Sequence, residues 1–226
     1  MSSQAAKVLS AESNINGLLV TMGLKVDEAV SHAITALLRS NSHIVAGVME
    51  NAVAIQELER TIDQTVFFAV EQGELLPAEA QRATSVNKDL ASLGKLAANL
   101  GRKVTEVGKH QENEDFSRLQ PLAIAVSHLC HQTLRSLTRL DSVLARNAAE
   151  GSASVDAYRD YVLRGLNHQG PLSTNEEDIH LVFASRCLEQ IADHAAQLAE
   201  KLIVFLAGAP APEKIRTVVA CKEVAC

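Results

Sequence analysis

Tryptophan is missing from this chain, and aromatic residues make up only 3% of it. Two Tyr and five Phe leave little with which to line a small-molecule pocket. The residues that favour sheets are correspondingly thin, while Ala and Leu dominate and favour helices. No run of 18 apolar residues occurs, which excludes an ordinary membrane-spanning helix. The first residues, Met-Ser-Ser-Gln-Ala-Ala-Lys, carry no apolar signal core, so a cytoplasmic protein is expected, peripheral to a membrane at most. Basic residues are outnumbered: 21 Lys and Arg stand against 27 Asp and Glu, giving a formal charge of -6. That balance argues against nucleic acid as a partner, which would call for a basic stripe. The four cysteines, Cys130, Cys187, Cys221 and Cys226, lack zinc-site spacing. Cys130 and Cys187 fall within helical patterns and read as buried thiols. There is no Gly-x-x-x-x-Gly-Lys phosphate loop and no nucleophile elbow. Nothing here argues for an enzyme.

What the chain has is apolar residues, 47% of it, arranged in long helical stripes. Ile15, Leu18, Leu19, Met22, Val26, Ala29, Val30, Ala33, Ile34 and Leu37 make one stripe, predicting a helix over 11–39. Asn41 and Ser42 can cap a second helix over 43–72, with Ile44, Val48, Ile55, Leu58, Ile62 and Val66 facing inward. Gly73 suits the C-terminal cap of that helix, and Pro77 the first turn of a third running to about 109. Residues 111–115, Gln-Glu-Asn-Glu-Asp, read as a linker.

The second half follows the same plan. Its apolar pattern predicts one long helix over 116–148, weakened at Gly151-Ser152, then a helix around Val155, Tyr158, Val162 and Leu166. Gly170-Pro171 breaks the chain, and Ser173 with Glu176 reads as a capping box for a last helix ending near Gly208. Overlaying the halves, residues 86–100 align with 184–198 at an offset of 98, and Ile55-Gln56 with Val155-Asp156 at an offset of 100. Two elements in one order at nearly one offset indicate a duplicated three-helix unit. The expected fold is all-α: two tandem antiparallel three-helix bundles, residues 1–112 and 113–208, with a tail over 209–226.

The most informative stretch is residues 186–200, Arg-Cys-Leu-Glu-Gln-Ile-Ala-Asp-His-Ala-Ala-Gln-Leu-Ala-Glu. Leu188, Ile191, Ala192, Ala195 and Leu198 form its apolar face. Glu189 and Asp193 lie four apart, one turn from each other on the same side, where like charges repel by a few tenths of a kcal/mol. A cation between them would relieve that.

The pattern Arg-x-Leu-Glu-x-Ile-Ala-Asp-His-Ala, ending in Leu-Ala-Glu, resembles the last long helix of PhoU proteins, bacterial regulators of phosphate uptake and phosphate-starvation signalling. The resemblance implies two three-helix bundles in tandem. It also implies two acidic pairs facing each other in each bundle as ligands of a metal cluster. Carboxylates suit hard or borderline cations such as Fe, Mn, Zn or Mg. In the second half Glu189 and Asp193 match one pair, and Asp156 matches one acid of the other, while Ser152 replaces its companion. In the first half Ala52, Gln56, Ala91 and Lys95 occupy the four places, so a metal is expected in the C-terminal bundle only, on Asp156, Glu189 and Asp193. His128 and His131, three apart, could share a face. Glu177-x-x-His180 is one copy of a pair that di-iron bundles use twice. His194 points away from the Glu189–Asp193 edge.

By resemblance the chain acts through contact, as a homodimer. Its partners would be the ATPase of a phosphate ABC transporter and a phosphate-sensing histidine kinase. A second reading is an accessory protein of a sodium–phosphate or other anion transporter, which the eroded first half favours. A third is a carboxylate-bridged metalloenzyme, which would need a substrate-sized cavity beside Glu189.

Overall fold

The computed structural model describes residues 3–110, 116–167 and 176–207. Among these residues there are six α-helices and no strand: α1 (Ser3–Leu38), α2 (Val45–Glu71), α3 (Pro77–His110), α4 (Gln120–Arg139), α5 (Ser142–Asn167) and α6 (Glu176–Ala207). Single turns of tighter helix, Ser42–Ile44 and Phe116–Leu119, precede α2 and α4. The protein is all-α, as its stripes predict. The expected linker at 111–115, the break at 170–171, the Ser173 cap and the tail at 209–226 lie outside the described residues, and so does the expected boundary between 112 and 113.

The punctuation of the first half follows its sequence. Gly73 closes α2 with φ 67, a left-handed conformation that costs Gly little. The N–H of Glu74 donates to the carbonyl of Ala69 at 2.8 Å, and Pro77 opens α3.

The second half departs from expectation. The stripe over 116–148 is not one helix, and Gly151-Ser152 is not its weak point. The chain turns at Leu140, φ 51 and ψ 44, and α5 runs unbroken through Gly151 and Ser152. The cause is local hydrogen bonding. Asp141 donates its N–H to the carbonyl of Ser136 at 2.9 Å. Its carboxylate accepts from the N–H groups of Val143 and Leu144, at 2.8 and 3.2 Å. A side chain that satisfies first-turn donors starts a helix where it stands. The α1–α2 corner follows the same plan, with a tighter turn before α2: Ser40 has φ 47, Asn41 donates to Ala36, and the Asn41 side chain accepts from the N–H of His43 at 2.9 Å. The two corners share Leu-x-Arg-x-(Asn or Asp)-Ser, Leu37 to Ser42 and Leu137 to Ser142.

α1, α2 and α3 pack on one another, and so do α4, α5 and α6. The two groups meet along a seam where α1 lies against α4 and α3 against α6. One continuous apolar cluster spans that seam, from Leu19, Met22 and Leu93 to Leu134, Leu137 and Leu198. Each such side chain contributes about 1.5–3 kcal/mol by leaving water. Polar contacts cross the seam as well. His131 Nδ1 lies 2.9 Å from the Asp27 carboxylate, and Lys201 Nζ lies 2.6 Å from that of Asp89.

Candidate functional site

The apolar stripe of α6 fixes where its acids go. Leu188, Ile191, Ala195 and Leu198 are buried, and Thr133 of α4 ties the middle of the helix by donating its hydroxyl to the Ala195 carbonyl at 3.3 Å. With that face held, Glu189 and Asp193 turn toward α5. Both line a small cavity of about 100 Å³, together with Leu129 of α4, Ser152 and Val155 of α5, and Ala192 and Ala196. Glu189 is half-buried and Asp193 exposed. Ser152 therefore faces the acidic pair, as the resemblance implies, with its hydroxyl donating to the Ala149 carbonyl at 2.8 Å. Its lone pairs remain for a ligand. Asp156 lies on α5 one turn further on, and its side chain is outside those described.

Among the described residues no group of three or more His, Cys, Asp or Glu is gathered as a metal site. Glu189, Asp193 and the Ser152 hydroxyl are an all-oxygen set around a water-sized space. Such a set fits a hard cation that keeps several waters better than it fits thiophilic or imidazole-loving metals.

The matching place in the first half is closed. Ala52 and Ala91 are buried, and Gln56 is exposed. A Cβ on Gly94 would lie 2.9 Å from both Cδ1 and Cγ2 of Ile55, so α2 and α3 touch where α5 and α6 leave a cavity. Gly94 corresponds to Ala192 and Ile55 to Val155 at the offsets found in the sequence. Lys95 stands where Asp193 stands in the second half, and its ammonium sits 3.4 Å from Glu59 of α2. The sequence reading missed this partner, although Glu59 lies one helical turn beyond Ile55. Nearby, the buried Asn87 donates to the Glu59 carbonyl at 3.0 Å and to Asp63 at 2.9 Å.

His128 and His131 do not converge. His128 lines a groove of about 550 Å³ between α4 and α5, among Pro121, Ile124, Gln132, Asn147 and Tyr158. His131 turns instead to Asp27, so the two share no ligand position. The Nδ1 of His194 is buried with no hydrogen-bond partner among the described residues. His180 is half-buried; the side chain of Glu177 is outside the description. Cys130 and Cys187 are buried free thiols. Burial, and then the Asp27 carboxylate, push the Cys130 thiol up to about 12, and burial raises Cys187. Neither is a nucleophile at neutral pH.

Residues 122–202 match the model of the PhoU domain. The chain is 25% identical over 197 residues to the phosphate-specific transport system accessory protein PhoU homolog of Pseudomonas putida, covering 84% of this chain and 77% of that one. The Escherichia coli accessory protein PhoU is 22% identical, covering 86% and 83%. In fold, the chain is similar to the crystal structure of PhoU from Pseudomonas aeruginosa, with a TM-score of 0.76 at 23% identity over 88% of this chain and 99% of that one. It is also similar to the phosphate transport system regulatory protein PhoU from Streptococcus pneumoniae, with a TM-score of 0.74 at 17% identity over 89% and 98%.

Proposed function

We propose that this chain, a divergent member of the PhoU family, is a regulator of phosphate transport that works by contact rather than by catalysis. The observation that carries the reading is the shared fold over nearly the whole length of both chains, joined to a domain match over 122–202 that takes in the acidic helix. The curated relatives bear the name of accessory proteins of the phosphate-specific transport system. A pair of bundles whose described residues leave a space of only about 100 Å³ beside Glu189 suits an adaptor. Its partners on this reading are a phosphate transporter ATPase and a phosphate-sensing histidine kinase, met in the cytoplasm. No helix among the described residues is long and apolar enough to cross a membrane.

Deleting the gene should raise phosphate uptake and a phosphate-starvation reporter in cells given ample phosphate, and the full chain should restore both. Unchanged uptake and reporter output in the deletion strain would overturn the reading.

We also propose that Glu189 and Asp193, with Asp156, hold one hard cation, and that the first bundle holds none. The facing of Glu189, Asp193 and Ser152 across the small cavity supports this. A bound ion would neutralise carboxylates that otherwise repel, and its affinity would fall at acid pH, where they protonate. Elemental analysis after loading with Fe, Mn, Zn or Mg separates the outcomes. Glu189→Ala should lose the ion, and Lys95→Ala should keep it. Wild type that carries no metal after loading removes the proposal.

A further inference from the structure

Of the five phenylalanines in this chain, two consecutive ones stand in solvent. Phe67 is 60% exposed and Phe68 58%. Their rings meet edge to face with centroids 5.7 Å apart. α2 buries Ile62, Val66 and Ala69 on its core stripe, and the two rings fall to either side of it. Leu76, just past the end of α2, is 63% exposed. Phe68 also walls a groove of about 450 Å³ between α1 and α2, with Ala11 and Ala69 at its floor and Asn14, Thr65 and Gln72 on its sides.

The charge around these rings is mostly negative, although Lys7 lines the Phe68 groove beside Glu74. From residue 61 to residue 81 the chain has no Lys or Arg, while Asp63, Glu71, Glu74 and Glu79 all fall there. Helical spacing puts Asp63 one turn before Phe67 and Glu71 one turn after it. Glu12 of α1 joins Glu79 at this end; burial, and then that neighbouring carboxylate, raise its pKa. The bases within reach make only loose pairs, Lys7 with Glu74 at 3.9 Å and Arg82 with Glu79 at 4.0 Å.

We propose that this end of the first bundle, Phe67, Phe68 and Leu76 within their acidic rim, is a docking surface for a basic amphipathic segment of a partner protein. The inference rests on the contact-based reading above and gives that contact a place and a chemistry. Aromatic residues, Phe among them, are enriched in protein–protein interfaces relative to the rest of the surface. The acidic rim selects the occupant. It repels nucleic acid and anionic lipid, and a second copy of the chain would set acid against acid. A helix with an apolar face and flanking Lys or Arg matches both the rings and the rim.

The test uses the full chain and a fluorescein-labelled helical peptide of about 18 residues, five turns, with Leu on one face and Lys on the other. A Glu-for-Lys peptide and vesicles of phosphatidylglycerol serve as alternative ligands. The Lys peptide should bind wild type and lose at least about tenfold, some 1.4 kcal/mol, in the Phe67→Ser/Phe68→Ser variant. Both positions are exposed, so the variant should keep its melting temperature. Val204→Ser, at a comparably exposed site on α6, should leave binding unchanged. The Glu peptide and the vesicles should not bind. Equal binding of the Lys peptide to wild type and double variant overturns the proposal. So does vesicle binding that the double variant abolishes, which would make the patch a membrane surface. A change of oligomeric state in the double variant by light scattering would assign the patch to a second copy instead. In the deletion strain, a double variant that restores phosphate repression as well as wild type overturns the surface while the regulatory function stands. If wild type itself fails to restore repression, the function falls, and the peptide titration alone decides the surface.

Discussion

Gly94 and Ala192 hold matching places in the two halves, and one methyl group separates a closed contact from a cavity. At Gly94 the Ile55 side chain occupies the space a Cβ would need. Gly94→Ala should therefore destabilise the protein by about 1–3 kcal/mol, the usual cost of overpacking, read from the urea midpoint. An unchanged midpoint would mean that Ile55 swings away freely. Cys130 offers a pH test. Its thiol ionises near its ordinary 9.0 in the unfolded chain and near about 12 when folded. Above pH 9 the unfolded chain loses this proton while the folded one keeps it. The stability from Cys130 is thus complete below about 9 and falls as pH rises toward 12. Iodoacetamide at pH 8 should leave Cys130 unmodified in native protein and label it in denaturant, which mass spectrometry would register.

The helices were legible because a stripe at helical spacing over many turns has one meaning, and the long runs of Leu, Ile, Val and Ala leave no competing strand pattern. The corner at Leu140 was not legible. Leu134, Leu137, Leu140 and Leu144 continue one stripe through it, and neither Gly nor Pro marks the turn. The signal present was the capping residue, Asp141, repeating Asn41. Asp141→Ala should cost about 0.5–2 kcal/mol by removing the cap of α5. Ser40→Gly should gain up to about 1 kcal/mol, because a non-glycine residue there is held in the left-handed region. Thermal unfolding of both variants checks this, and a loss at Ser40→Gly would contradict it. Of the candidate site, Glu189, Asp193 and Ser152 were readable from spacing and resemblance. The Lys95–Glu59 pair and the closure of the first site were not, because they depend on how α2 and α3 approach each other. Separations of 104 residues for Asp27–His131 and 112 for Asp89–Lys201 leave no local trace.

Across the whole molecule, the shared core makes the seam part of the fold. Unfolding should be a single cooperative transition that takes both halves together. The seam's ion pairs differ from the pair in the first half. Asp89 has a side chain only 10% exposed beside Lys201, whereas Lys95 is 55% exposed beside Glu59. Lys201→Met strands a buried carboxylate and should cost about 1–3 kcal/mol. Lys95→Met breaks a solvated pair and should cost less than about 1 kcal/mol. Equal losses in a denaturant titration would show that the seam contact is no tighter than the surface one.

The seam also joins like with like. α1 meets α4, the helix in its own position within the repeat, and α3 meets α6, likewise its counterpart. Lys103 of α3 reaches Phe183 of α6, its ammonium 5.3 Å from the ring centre, and Lys201 of α6, at the matching position, reaches Asp89 of α3. Phe183 answers to Ser85 and Asp89 to Cys187, one helical turn apart, so the contacts approximate the reciprocity of an isologous, two-fold interface. The chain is thus organised as a dimer whose two subunits are joined in one polypeptide. Such an interface is self-complementary in shape, so a half made alone should pair with itself through the face it now turns to its twin. Expressed on its own, 116–207 should sediment as a dimer. If it sediments as a monomer, unlike partners such as Asp27 with His131 have already turned a symmetric joint into one that accepts only the other half.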